Sequence, residues 1–182
     1  MSITTTIIKY IHNYQAIRMT AIATKIRIET IKSTIHRGNF TYPGKSISAR
    51  IYRENESAGF IDYELSPLND RIYINSIEIK PTCQRLGIGI STLWNLWLQY
   101  KTPLTPIHVF ESATIFWIKA RKRFARAGVV ITDELRTYEL NTEQQRWSHL
   151  VPEPEHEQLI RELRASPEWP AIQAEMKARH DL

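Results

Sequence analysis

The sequence predicts an α+β fold: a central mixed and mostly antiparallel twisted sheet, flanked by helices and followed by a helical C-terminal tail. Short alternating segments separated by polar turns occupy the first half of the chain. Strand-like and helix-like segments then alternate, and the end of the chain carries only helical spacing. The 182 residues are 42% hydrophobic and 24% charged, a composition that excludes disordered, collagen-like and coiled-coil chains.

The clearest strands lie in the first half of the chain. Residues 46–53 alternate in polarity, residues 58–65 follow a polar turn, and residues 71–79 are apolar or neutral on both faces. These segments predict an antiparallel meander whose last strand is central and buried. Residues 4–11 are also predicted as a strand, whereas the interval 14–35 mixes helical and alternating spacing, so helix and strand both stay open there.

The second half of the chain predicts a different order of elements. Pro81 ends the last strand of the meander, and helical spacing extends over residues 90–100. A short strand is predicted over 106–110, a helix over 112–127, and a closing hairpin over 129–140.

Charge and composition divide the chain into a predicted domain, residues 1–150, and a helical tail, residues 151–182. The domain carries 20 basic and 12 acidic residues, whereas the tail carries 4 and 7. A basic domain favours anionic ligands such as phosphates, nucleotides or RNA. The single cysteine excludes a disulfide framework, and the histidines show no metal-ligand spacing. We expect no metal, no membrane partner and a cytoplasmic location, while a homodimer stays open.

The most informative motif is a glycine turn between a strand and a helix. The strand ends in Ile77-x-Ile79-x-Pro81, and Gln84-x-x-Gly87-x-Gly89 follows. Glycine allows an anion to approach the backbone, and a helix N-terminus offers free N–H groups and the positive end of its dipole. The turn therefore predicts a phosphate or pyrophosphate site, although its spacing is neither the dinucleotide fingerprint nor a Walker loop.

A second segment, Glu111-Ser112-Ala113-x-x-Phe116-Trp117-x-Lys119, follows at a suitable distance. The two segments together closely resemble the paired motifs of the GCN5-related N-acetyltransferase (GNAT) superfamily, and the resemblance covers roughly residues 46–140. It implies a GNAT-like fold and an acetyltransferase that uses acetyl-CoA as acyl donor. The acetyl group would pass directly to an amine acceptor, which could be a protein amine, a small amine or an aminoacyl-tRNA.

The resemblance also implies where acetyl-CoA binds. Its pantetheine arm would lie between the strand that ends near residue 79 and the strand that ends near residue 110. The pyrophosphate would accept hydrogen bonds from backbone N–H groups at the start of the following helix. The residues implied in this binding are Ile77, Ile79, Gln84, Arg85, Leu86, Gly87, Ile88, Gly89, Ile90, Ser112 and Phe116.

Three residues are implied as catalytic. Tyr73 occupies the position at which histone-acetylating members carry a glutamate, and it resembles the tyrosine of protein N-terminal acetyltransferases. His108 matches the histidine that those enzymes carry on the next strand. We expect this pair to face the acceptor amine across the cleft, with Glu78 as a further candidate base.

One departure from the family pattern concerns the proton for the leaving thiolate. Trp117 stands where the family often has a tyrosine, and an indole cannot act as that acid. The thiolate would then take its proton from water or from Ser112. The same departure favours the alternative function, a non-catalytic acyl-CoA-binding module that acts through a protein partner.

The predicted helix over residues 117–126 carries a cluster of basic side chains, Arg121, Lys122, Arg123 and Arg126. A solvated helix face is the simpler interpretation. The alternative is a contact to the 3′-phosphate of the cofactor or to an RNA substrate.

Overall fold

The computed structural model describes the backbone of residues 3–180 and the side chains of residues 6–177. Helices stand before and after a run of four consecutive strands, the segregated order that is typical of an α+β fold. The helices are α1 Ile3–Ala23, α2 Ile88–Tyr100, α3 Thr114–Arg126, α4 Leu140–Gln145, α5 Glu155–Ala165 and α6 Trp169–His180. The strands are β1 Ile26–Thr34, β2 Ser46–Arg53, β3 Glu56–Leu65, β4 Ile72–Ile79 and β5 Leu104–Pro106.

The strands form one five-stranded sheet in the order β1-β2-β3-β4-β5. Strands β1 to β4 pair antiparallel, and β4 pairs parallel with β5, so the predicted mixed and mostly antiparallel α+β class is confirmed. The register of β3 and β4 shifts between Asp62↔Ser76 and Tyr63↔Ile74, which leaves Asn75 as the extra residue of a β-bulge.

Helices α1, α2 and α3 pack together over one face of the sheet, which we call the inner face. The Trp94 ring meets Phe124 of α3 edge to face at 5.2 Å between ring centroids. Its indole N–H donates to Thr20 Oγ1 of α1 at 3.0 Å. All three helices therefore share one core with the inner side chains of the sheet, such as Ile51 and Ile61, which are fully buried.

Two segments, residues 36–45 and 137–150, cover part of the opposite, outer face and are called the clasp. The amide of Gln144 donates to the Phe40 carbonyl at 2.8 Å, and the indole N–H of Trp147 donates to the Tyr42 carbonyl at 3.1 Å. Trp147 is buried against the sheet. These bonds join parts of the chain that are about a hundred residues apart in sequence.

The strand predicted over residues 4–11 is wrong, because α1 extends from Ile3 to Ala23. Its many Ile and Thr residues favour strands only weakly, and packing overrides that preference. Ala16, Met19 and Ala23 recur at helical spacing and pack against the core. In the interval that the sequence left open, the chain is helical to Ala23 and extended from Ile26.

The predictions around β5 also need correction. The strand is Leu104–Pro106 rather than residues 106–110, because His108 adopts a left-handed conformation at φ 56° and ends the extended run. The closing hairpin predicted over 129–140 is wrong. Ile131 and Leu135 make single parallel bridges to residues 104 and 107, and the chain then turns into α4.

The chain divides into two compact units, residues 1–150 and residues 151–182. Within the second unit, Arg161 forms an ion pair with Glu153 at 2.6 Å, and the Arg164 guanidinium lies over the Trp169 ring at 5.9 Å. The apolar side chains Leu159, Ile160 and Leu163 of α5 are exposed.

Candidate functional site

Strands β4 and β5 part after a short pairing, and this leaves one edge of β4 open. The pairing is limited to residues 72–74 with 104–106, and its last bond runs from Ile107 N–H to the Ile74 carbonyl at 2.9 Å. His108 then bonds Leu135 instead of β4. Residues 75–79 of β4 therefore have no strand on the β5 side among the residues described.

The backbone groups of Ile77 and Ile79 point to this open edge. The N–H of Lys80 donates to the Ala58 carbonyl of β3. In an antiparallel pair every second residue bonds the partner strand, so residues 76 and 78 also bond β3. The backbone N–H and C=O groups of residues 77 and 79 therefore point away from β3. The Ile79 carbonyl accepts the Gln84 side-chain amide at 3.0 Å, which ties the following turn to the strand. Among the residues described, none bonds the backbone N–H or C=O of Ile77, so both groups can reach a ligand.

The glycine turn lies directly beyond the open edge. Arg85 and Gly87 adopt left-handed conformations at φ 61° and 80°, and α2 begins at Ile88 without a side-chain cap. The first helical bond runs from Ser91 N–H to the Gly87 carbonyl. Within the described part of the chain, the N–H groups of residues 88–90 therefore have no acceptor. A row of free donors at a helix start is a site for an anion.

The two glycines of the turn have different roles. A Cβ at Gly87 would meet no atom within 4 Å, so the space in front of the turn is open. A Cβ at Gly89 would lie 3.0 Å from the Phe116 ring and 3.6 Å from Ile79 Cγ1. The absence of a side chain at Gly89 thus lets β4, α2 and α3 meet at one point.

The other predicted cofactor contacts are surface residues around this point. Gln84, Arg85, Leu86 and Ser112 are exposed, and Ser112 lies in the turn Glu111–Ala113 that precedes α3. The Trp117 side chain is buried and packs edge to face on Phe116 at 5.2 Å. Trp117, which stands where the resemblance implies a tyrosine, is therefore part of the core.

Tyr73 is sealed beneath the clasp. Its side chain is fully buried, and the Phe40 ring contacts it edge to face at 5.0 Å. Its hydroxyl donates to Glu143 Oε1 at 2.6 Å. Burial and this hydrogen bond raise the pKa of Tyr73 far above its ordinary value. The hydroxyl proton is therefore held between the phenol oxygen and Glu143, beneath the clasp.

Glu143 is the centre of an ion-pair network that the sequence did not suggest. It pairs with Arg71 at 3.1 Å and with Arg146 at 2.5 Å, while Arg146 also bonds Asp70. Burial alone would raise the pKa of Asp70, but hydrogen bonds from Ser66 and Arg146 outweigh burial and hold it below its usual value. These ion pairs connect residues 143 and 146 of the clasp to residues 70 and 71, which directly precede β4.

The structure does not bring Tyr73 and His108 together as a pair. His108 is exposed, lies beyond the end of β5 rather than on a strand, and has a ring nitrogen 3.1 Å from Thr137 Oγ1. None of the hydrogen bonds or ring contacts of the described residues joins it to Tyr73. Glu78 is exposed on the outer face opposite Phe60 of β3.

The basic cluster on α3 is partly engaged in structure. Arg121 Nε donates to the Thr132 carbonyl at 3.2 Å, whereas Lys122, Arg123 and Arg126 are exposed. Among the side chains described, no group of three or more His, Cys, Asp or Glu residues could hold a metal ion.

Comparison of the chain with family models, curated proteins and solved structures gives no match. No helix among the described residues has the length and apolar composition needed to cross a membrane. The functional argument therefore depends on the site geometry and on the paired motifs.

Proposed function

We propose that this chain is an acetyl-CoA-dependent N-acetyltransferase of the GNAT type. The observation that carries the proposal is the open edge of β4 next to the uncapped start of α2. A pantetheine arm offers amides that can pair with a free strand edge, and a pyrophosphate accepts hydrogen bonds from free N–H groups. The two features lie in series, in the order that this ligand requires.

The chain's own groups fit the two ends of such a ligand. Ile77 has a free N–H and C=O for the amides, and residues 88–90 supply donors for the phosphates. Gly87 leaves the approach open because, apart from its own chain neighbours, no described residue has an atom within 4 Å of its missing Cβ. Phe116 and Ile79 form an apolar floor beside them.

In the proposed reaction a neutral amine attacks the thioester carbonyl. The C–N bond forms, the C–S bond breaks, the amine loses one proton, and the CoA sulfur gains one. We assign proton acceptance to His108, because it is the first residue beyond the β4–β5 pairing and its ring is exposed. Glu78 is the second candidate, and Tyr73 is withdrawn as a base because its hydroxyl is buried and bonded to Glu143.

The alternative function is a non-catalytic acyl-CoA-binding module that acts through a protein partner. Two observations favour it: the indole of Trp117 is buried where the family acid would be, and Tyr73 is sealed under the clasp. Both functions share the same ligand, so acetyl-CoA binding is tested first and turnover separates them afterwards.

The binding test compares two isosteric variants at the glycine turn. Asn and Asp both tolerate the left-handed conformation of Gly87 and differ only in charge. Acetyl-CoA at about 100 times its Kd should stabilise the wild type by roughly 2.7 kcal/mol. Gly87→Asn should keep much of this shift in melting temperature, whereas Gly87→Asp should lose it because its carboxylate repels the pyrophosphate. A wild type that acetyl-CoA does not stabilise would contradict the proposal.

A further inference from the structure

Asn75 lies where β4 and β5 part. It is the extra residue of the β4 bulge and directly follows Ile74, the last residue of β4 that pairs with β5. A bulge places two successive side chains on the same face of a sheet. Asn75 and Ser76 both bond partners on the outer face of β3, and Asn75 is exposed.

The carboxylate of Glu64 fixes the orientation of the Asn75 side chain. Glu64 is only 6% exposed. Its Oε2 accepts from the backbone N–H of Thr41 at 3.1 Å and from the Thr41 hydroxyl at 2.5 Å. Its Oε1 accepts from Asn75 Nδ2 at 2.8 Å. Thr41 is fully buried in the clasp, so its two hydrogen bonds fix the position of the carboxylate at the oxygen that does not contact Asn75.

This arrangement determines which atom Asn75 presents to a ligand. A carboxylate only accepts hydrogen bonds, so the NH₂ group of Asn75 must face Glu64 and Oδ1 must face away. Among the residues described, none donates to Oδ1. Reversing the amide would set an oxygen against the buried carboxylate. Asn75 therefore presents a fixed acceptor, Oδ1, at the point where the strands part.

We infer that Asn75 Oδ1 binds the acceptor amine and that Glu64 is its positioning residue. The inference rests on the proposed acetyl transfer, in which an amine must approach the thioester where the two strands part. A fixed carbonyl oxygen accepts a hydrogen bond from an amine N–H. It repels ligand groups that can only accept hydrogen bonds. Nearby on the same face, the Ser76 hydroxyl donates to Asp62 at 2.8 Å, so this donor is already used. The substrate class is a primary amine presented through its N–H groups.

The first test measures binding without turnover. Protein saturated with CoA is titrated with n-butylamine while the side-chain NH₂ signals of Asn75 are followed by NMR, with Asn75→Ala to assign them. We expect a saturable shift in the wild type and in the control Ser76→Ala. In Glu64→Gln the new NH₂ group should face Asn75 and reverse its amide, so the shift should be lost. A wild type without a shift, or an unchanged shift in Glu64→Gln, would overturn the inference.

The second test separates a positioning role from a structural one. Asn75→Ala and Glu64→Gln should each raise the KM for the amine by about 3- to 10-fold, the value of one hydrogen bond, and leave the KM for acetyl-CoA unchanged. The double variant should be no worse than the poorer single variant. The matched control is Ser76→Ala, which removes a hydrogen bond to Asp62 on the same face of the sheet. It should leave the KM for the amine unchanged.

The outcomes distinguish the inference from the function on which it rests. If acetyl-CoA stabilises the protein but Asn75→Ala keeps the wild-type KM for every amine tested, the inference alone is wrong. If acetyl-CoA does not stabilise the wild type, the proposed function is wrong, whatever the NMR titration shows.

Discussion

The hydroxyl of Tyr73 donates a hydrogen bond to Glu143, a residue on a helix 70 positions later in the chain, at 2.6 Å. This bond closes the clasp over the outer face at the start of β4. The resemblance to acetyltransferases implied that this tyrosine acts on the acceptor amine. Its fixed, buried hydroxyl does not fit that role. Under the proposed function, the acceptor would approach further along β4, beyond Ile74, where the strands part.

Tyr73→Phe should therefore cost stability rather than catalysis. A hydrogen bond to a charged group contributes about 1.5–3 kcal/mol, and Glu143 keeps its pairs with Arg71 and Arg146 in the variant. Chemical denaturation should show this loss, while Tyr138→Phe, whose side chain is 79% exposed, should show none. A large fall in kcat at unchanged stability would restore Tyr73 to the catalytic machinery.

His108→Ala should affect turnover instead. Loss of a general base typically lowers kcat by about 10²- to 10⁴-fold. The His108 ring is exposed and contacts the Thr137 hydroxyl, so its removal should change the free energy of unfolding little and leave acetyl-CoA affinity intact. Full activity in this variant would transfer the role to Glu78 or to water, which Glu78→Gln then distinguishes.

Asp70 should make the clasp sensitive to acid. Its pKa is lower in the folded chain than in the unfolded one, so its contribution to stability is present above about pH 4 and is lost as pH falls through the folded pKa. Because the side chain is 34% exposed, we expect no more than about 1 kcal/mol from its ion pair with Arg146. Asp70→Asn should remove this part of the acid dependence in denaturation curves between pH 7 and pH 3. Asp133→Asn should retain the wild-type dependence, and equal curves for all three proteins would count against the ion pair.

The sequence predicted the part of the fold that local patterns determine. Strands β2 to β4 and helix α2 lie within two residues of their expected bounds, because alternation, helical spacing and turn residues agree there. The sequence predicted a strand in place of the start of helix α1, because Ile and Thr residues favour strands. The packing of this segment against α2, which overrides that preference, cannot be read from the sequence. The left-handed residue His108, which ends β5, has no signal in a single sequence.

The candidate site also has a part that the local sequence predicts and a part that it does not. The glycine turn was recognisable because a strand, two glycines and a helix follow one another within a few residues. The bond from Tyr73 to Glu143 and the bond from Asn75 to Glu64 depend on pairings between distant segments and on a one-residue bulge. Neither a bulge nor a long-range side-chain partner can be read from spacing alone.

Helix α3 should bind polyanions through its exposed basic side chains, whether or not RNA is the acceptor. Replacing Lys122, Arg123 and Arg126 by Gln should weaken RNA binding and reduce the slope of log K against log salt by about 2–3, because fewer counterions are released. Filter binding over a salt series measures the slope. The control Arg121→Gln should matter less, because Arg121 donates to the Thr132 carbonyl. An unchanged slope in the triple variant would mean that this helix face is only solvated.

The most direct measurement is a map of backbone amide signals by NMR as acetyl-CoA is added. The account predicts saturable shifts at Ile77 and at residues 88–90, where free donors line the open edge and the helix start. Residues 72–74, which are paired on both sides, should respond least. Shifts confined to another surface, or none at millimolar acetyl-CoA, would contradict the central claim that this edge and turn bind the acyl donor.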